Sequence, residues 1–215
     1  MVTTPTPPTV PSRAASLALV GGAPAFDLAN TASGRGGPRA QDHLRAAEDV
    51  VTWAWHAGIL TQAGTRALRR LIAHSRPAAE LLRRTRELRG LVYGIGTVLA
   101  AGVTPHAAQL ERLARIHAQA LARARLSGGP EGYAWRWDAA DAPIEAILGP
   151  LTLSAIDLLT RGDRARIKQC AGDHCGWLFL DTTKNNRRRW CEMEVCGNRA
   201  KQKRLRGRRR RTEDG

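Results

Sequence analysis

Four cysteines spaced Cys170-x4-Cys175-x15-Cys191-x4-Cys196 limit the folds open to this chain more than any other feature. Two pairs of equal internal spacing, on either side of a 15-residue connection, can bring four thiolates around one tetrahedral zinc ion. So short a segment has almost no core of its own. The metal, worth roughly 10–16 kcal/mol in zinc-finger peptides, therefore has to order it. Four sulfurs also fill the coordination sphere, which makes the expected Zn2+ structural and leaves no position for a reacting water. Free core thiols, a redox pair, iron–sulfur ligation, or His174 in place of one cysteine are the competing uses of these residues. Between the cysteines, Gly172 and Asp173 suit a tight turn, and residues 176–181 read as a strand with Trp177 and Phe179 on one face. Residues 182–186 are turn chemistry, residues 187–191 return as a second strand, and residues 196–206 read as a basic helix.

The charge is concentrated in the same region. The chain has a formal net charge of +15, and residues 161–215 hold 17 Lys and Arg against 7 Asp and Glu. Residues 1–160 hold the other 17 cations against 12 acids. That asymmetry favours a polyanionic partner. Between Lys184 and Arg211 the cations are interleaved with cysteines and Trp190, which implies a folded basic surface rather than a solvated tail. On a helix entered from Cys196, Arg199, Lys203 and Arg206 share one face, and Lys201, Arg204 and Arg208 continue an adjacent one. The turn at Lys184, Asn185, Asn186, Arg187 and Arg188 would lie nearby. Phosphate neutralisation by such cations gives salt-dependent affinity. Asn185, Asn186, Asn198 and Arg199 carry groups able to read base edges. The candidate nucleic-acid contacts are thus Lys184, Asn185, Asn186, Arg187, Arg188, Asn198, Arg199, Lys201, Lys203, Arg204 and Arg206. Trp177 and Trp190 are better explained as filling of a coreless module than as base-stacking platforms.

Upstream, the fold class is mainly α with a few short strands (α+β): a helical N-terminal domain over 13–162, then the four-cysteine module of β-hairpin plus helix over 163–206. Residues 1–12, rich in Pro and Thr, and the basic 207–215 are expected to be disordered tails. Residues 17–20 and 26–29 read as a small hairpin or two short strands. Helices follow over 44–57, from a cap at Thr61 to about His74, from Pro77 to a stop at Gly102, and from Thr104 to a break at Gly128-Gly129-Pro130. The third of these places Leu81, Thr85, Leu88, Val92, Ile95 and Leu99 on one stripe. Tyr133, Trp135 and Trp137 alternate as in a strand, and residues 144–159 form a last helix interrupted at Gly149-Pro150. The body has no phosphate-binding glycine motif, no HExxH and no GxSxG. Its scattered histidines suit surface or core positions, and Asp27, Asp42, Glu48 and Asp49 suit turns and helix starts. No stretch approaches the roughly 20 apolar residues of a bilayer span. The segment after Arg13 is too broken to be a secretory signal, so the chain is expected in the cytoplasm, where clustered cysteines serve metals.

The succession Cys170, Cys175, Gly176-Trp177-Leu178-Phe179-Leu180-Asp181, Arg188-Arg189-Trp190-Cys191 and Cys196-Gly197-Asn198-Arg199 resembles the CGNR zinc finger, named for its last four residues. The resemblance implies Cys170, Cys175, Cys191 and Cys196 as zinc ligands. Asn186 and Arg187 depart from the small residues expected in that family's turn, and added charge there should raise nonspecific affinity. Such fingers usually follow an ABATE domain, proposed to belong to stress-induced bacterial transcription regulators. Phe26-Asp27-Leu28-Ala29-Asn30-Thr31, with Asp42, Leu44 and Trp53 after it, is similar to that domain's start. The expectation is therefore a non-enzymatic regulator with one structural zinc, a duplex DNA partner, no membrane partner, and a body that senses an unknown small molecule or forms a homodimer. An RNA- or ribosome-associated zinc protein, a protein–protein adaptor and an enzyme seated in the helical body are the alternatives.

Overall fold

The computed structural model describes residues 12–35, 37–38, 40–130 and 132–213, the last six by backbone alone. Except for Ser12, the expected N-terminal tail lies outside the described residues, as do 214–215. In chain order the elements are α1 (Pro24–Ala29), β1 (Ala32–Ser33), β2 (Gln41–Asp42), α2 (Ala47–His56), α3 (Gln62–Ile72), α4 (Ser75–Ala100), α5 (Ala107–Leu121), β3 (Arg125–Gly129), β4 (Gly132–Arg136), α6 (Glu145–Thr160), β5 (Ile167–Gln169), β6 (Leu178–Leu180) and α7 (Asn198–Glu213). A 3-10 turn at Arg164–Arg166 precedes β5, and a π-helical turn at Met193–Gly197 precedes α7.

Helix α4, about 39 Å long at 1.5 Å per residue, is the spine against which α1, α2, α3, α5 and α6 pack. Pro77 fits its first turn, where an N–H would lack a partner anyway, and Gly102 ends the run at φ +73°. The stripe Leu81, Thr85, Leu88, Val92 and Ile95 is buried as its spacing demands, and Leu99 packs at its edge. Against it stand Trp53, Leu28, Leu44, Leu68, Leu113, Ile147, Leu148 and Leu151, all fully buried. Local chemistry sets the helix starts. The Thr61 hydroxyl accepts the Gly64 N–H at 3.1 Å, and Asp49 accepts the N–H groups of Arg45 and Ala46.

Several expectations are corrected. Residues 26–29 belong to helix α1, not a strand: Pro24 opens it, and the Asp27 carboxylate accepts the Gly21 N–H at 2.8 Å, folding the preceding loop back onto it. Gly128-Gly129-Pro130 leads into a β-hairpin turn, with β3 and β4 paired from Arg125↔Arg136 to Gly129↔Gly132. The strand expected from the alternation of Tyr133 and Trp135 is present as the exposed β4, but it ends before Trp137. Helix α6 continues through Pro150, because the buried Ile147, Leu148, Leu151 and Ala155 hold its axis on both sides of the one lost hydrogen bond. The antiparallel partner of β6 is β5, upstream of the first cysteine, rather than residues 187–191. Helix α7 runs to Glu213, past the boundary drawn at Arg206; no proline follows, and the arginines beyond Gly207 are good helix formers.

The four-cysteine segment divides its apolar residues between the body's core and a small cluster of its own. Ile167 and Leu178 sit in the same apolar cluster as the helices, while Phe179 joins Cys170, Cys191 and Cys196 in a small second cluster flanked by Val20, Trp177 and Trp190. Among the described residues no helix is long and apolar enough to cross a membrane.

Candidate metal centre and basic surface

Strand β5 ends one residue before Cys170, and β6 begins three residues after Cys175, so one hairpin delivers the first cysteine pair. The connection is a tight knuckle with left-handed backbone at His174 (φ +56°) and Gly176 (φ +68°), and the Cys175 N–H bonds Gly172 O at 3.0 Å. The second pair comes from the chain after Trp190. There the π-helical turn closes through bonds from the Cys196 and Gly197 N–H groups to Glu192 O, which points Cys196 back toward Cys191. All four Sγ atoms lie within 4.8 Å of one another, and the Cys175–Cys191 and Cys191–Cys196 separations are both 3.7 Å. A tetrahedron with Zn–S bonds of about 2.3 Å has edges of about 3.8 Å, so the sulfurs stand where one zinc ion needs them.

Hydrogen bonding agrees with that use. The Cys170 sulfur accepts the backbone N–H groups of Gly172 and Cys191 at 3.4 and 3.3 Å, an arrangement that favours thiolate. Without a cation the four groups cannot all ionise. Hydrogen bonds from Cys175 and Cys191 hold the Cys170 thiol far below its ordinary value. The same contacts push Cys175 and Cys191 up, and burial pushes Cys196 up. A dication supplies the missing charge, and the module is able to hold one zinc ion. His174 sits in the knuckle outside this quartet.

Around the metal centre, several residues expected on a nucleic-acid face have partners within the protein: Arg188 and Asn186 are half-buried, while Asn198 and Lys203 stay exposed. The Arg188 guanidinium lies over the Phe179 ring at 4.4 Å and donates to the carbonyls of Trp190, at 3.0 Å, and Cys191. The backbone N–H of Arg188 is received by the Asp181 carboxylate at 2.7 Å. Asp181 is fully buried and also accepts the N–H and hydroxyl of Thr183. Burial opposes its charge, yet the donors from Thr183 and Arg188 hold it below the ordinary carboxylate value. Asn186 adopts φ +48° and donates to Ala165 O at 3.2 Å, while Asn198 donates to Glu194 O at 3.0 Å. Lys203 is paired with Asp173 across 2.5 Å, tying α7 to the knuckle.

Lys184, Asn185, Arg187, Arg199, Lys201, Arg204 and Arg206 are exposed and make no ion pair among the described residues. Between knuckle and helix lies a cleft of about 370 Å³ lined by Gly172, Asp173, Trp190, Arg199, Lys203 and Arg204. Arg208 lies outside the residues whose side chains are described.

In the body, several titratable groups have structural partners. His43 Nε2 lies 2.9 Å from Ser33 Oγ, and burial lowers the His43 pKa; His56 donates to Leu17 O at 2.8 Å. His117 lies 3.2 Å from the Thr152 hydroxyl. Asp42 receives both terminal nitrogens of the buried Arg89, at 2.6 and 2.7 Å, an ion pair that sequence spacing does not reveal. Asn30 and Tyr93 reach the cysteine module itself, by bonds taken up below. The signal for Asn30 lay in the motif of residues 26–31, although its role did not.

The family model described as CGNR zinc finger matches residues 166–209. The ABATE model, described as "Putative stress-induced transcription regulator", matches residues 22–162. Both occur in the order expected, and neither describes an enzyme family. No curated protein matches the chain.

Proposed function

Because the chain belongs to the ABATE family and carries a CGNR zinc finger behind that domain, we propose that it is a DNA-binding transcription regulator whose reading element is α7, held on a four-thiolate zinc. One observation carries this reading. Helix α7 starts two residues after Cys196 and holds Arg199, Lys201, Arg204 and Arg206 exposed and free of acidic partners among the described residues. A metal-fixed helix start removes the orientational freedom that a basic tail would lose on binding, and its cations neutralise phosphates. Lys184 and Arg187 extend the cationic face, while Arg188 and Asn186 brace the module instead of touching DNA. The division of labour follows the two segments. Residues 13–162 sense an effector or dimerise, and residues 163–206 bind duplex DNA in the cytoplasm.

The test is binding of duplex DNA to the full chain between 50 and 200 mM salt. The expected log–log slope is about −4, and Arg199→Ala or Arg204→Ala should each reduce its magnitude by about 1. Stripping zinc with a chelator should abolish tight binding. Undetectable or salt-independent binding overturns the proposal, and preference for structured RNA over duplex DNA moves it to the RNA-associated alternative.

A further inference from the structure

A two-stranded antiparallel sheet has two free edges, and alternate residues of each strand point their backbone groups outward. In β6, Phe179 stands opposite Lys168 of β5, while the Leu178 and Leu180 N–H groups face away. Neither is left open. The Asn30 carboxamide donates to Leu178 O at 2.9 Å and accepts the Leu178 N–H at 2.9 Å, so one side chain reproduces the double contact of a neighbouring strand residue. Two residues along, the Leu180 N–H bonds Gly21 O at 2.9 Å. Asn30 is 2% exposed and lies 148 residues from its partner in sequence.

Further contacts join the same two surfaces. The Trp177 indole donates to Ala32 O at 3.2 Å, and the Gln169 amide donates to the Tyr93 hydroxyl at 3.0 Å. The Leu178 side chain occupies the space left by Gly96 on α4: a Cβ there would stand 2.5 Å from it. Since β5 and β6 run directly into Cys170 and Cys175, whatever fixes these strands also fixes the first cysteine pair.

We infer that Asn30 is a positioning residue for the zinc centre: it supplies the finger's missing strand, so that metal loading and folding of the helical body form one coupled equilibrium. Removing the carboxamide leaves two buried backbone groups of Leu178 without partners. Conversely, loss of the ion frees the strand pair that seals the face of α1 and α4. The inference rests on the zinc reading of the cysteines and is independent of what α7 binds.

The full-length protein, first shown by elemental analysis to hold one zinc per chain, is melted with and without chelator while helical circular dichroism is followed. Removing zinc should lower the melting temperature of the body helices by about 5 °C or more. Asn30→Asp keeps the shape but sets a carboxylate against Leu178 O, and should lose zinc to about tenfold less chelator than the wild type. Hydrogen exchange supplies a readout on the wild type alone: the Leu178 and Leu180 amides should lose protection together with those of α1 when zinc is stripped. Body helices that melt at the same temperature in both states overturn the inference, as does an Asn30→Asp protein that retains zinc like the wild type. A wild-type chain without stoichiometric zinc would overturn the metal reading as well, and elemental analysis separates that failure from the others.

Discussion

Arg187 and Arg188 are adjacent, equally charged and oppositely used. Arg187 is exposed with no ion pair among the described residues, whereas Arg188 stacks on Phe179 and binds carbonyls beside Cys191. Composition counts both as charge; only the folded turn separates a candidate phosphate contact from an internal brace. Asp27 carries the clearest consequence at this scale. Burial pushes its carboxyl up to about 6 from an ordinary 3.8, with the Gly21 N–H partly offsetting that rise. A raised value means that the fold favours the protonated form. Its contribution to stability is present below about pH 4 and is lost as pH rises through about 6. Asn at this position stays uncharged and keeps an oxygen for the Gly21 N–H. Asp27→Asn should therefore stabilise the protein at pH 7.5 by on the order of 2 kcal/mol, with the difference vanishing near pH 4. Urea unfolding at the two pH values checks this, and an equal difference at both would refute it.

Glycines within α4 meet opposite surroundings along a single helix. At Gly90 a Cβ would meet nothing within 4 Å, while at Gly96 it would press on Leu178 and Phe26, both buried. Gly90→Ala should raise stability by up to about 1 kcal/mol through helix propensity alone. Gly96→Ala gains the same propensity but overpacks the joint between α4 and β6, and should lower stability by about 1–2 kcal/mol. Thermal melts of the two variants decide, and equal shifts would show the joint to be loose. The helices were legible in sequence because their apolar stripes repeat over several turns: α4 and the Thr61-capped α3 fall where the pattern puts them. In the cysteine module β6 falls inside the strand expected over 176–181, but its partner β5 was not legible. At three residues each, β5 and β6 are too short to show a period, and β6 has an apolar run because both its faces are buried.

For the molecule as a whole, the cysteine module and the helical body share a core through Ile167 and Leu178, so separating them exposes both apolar residues and the open edge of β6. A fragment of residues 161–215 should accordingly hold zinc at least about tenfold more weakly than the full chain in chelator competition. A fragment as tight as the full chain would mean that the finger orders itself. The sequence alone pointed to a four-cysteine cluster able to hold one zinc ion, since two matched spacings on a short segment favour one metal centre. It determined the basic end of the molecule as well, because charge is additive and needs no geometry to count. Only the tertiary structure decided which cations remain exposed, which strand pairs with β6, and that Asn30 closes the other edge. Those outcomes depend on contacts between residues as much as 148 positions apart, and such contacts leave no periodicity in the chain that makes them.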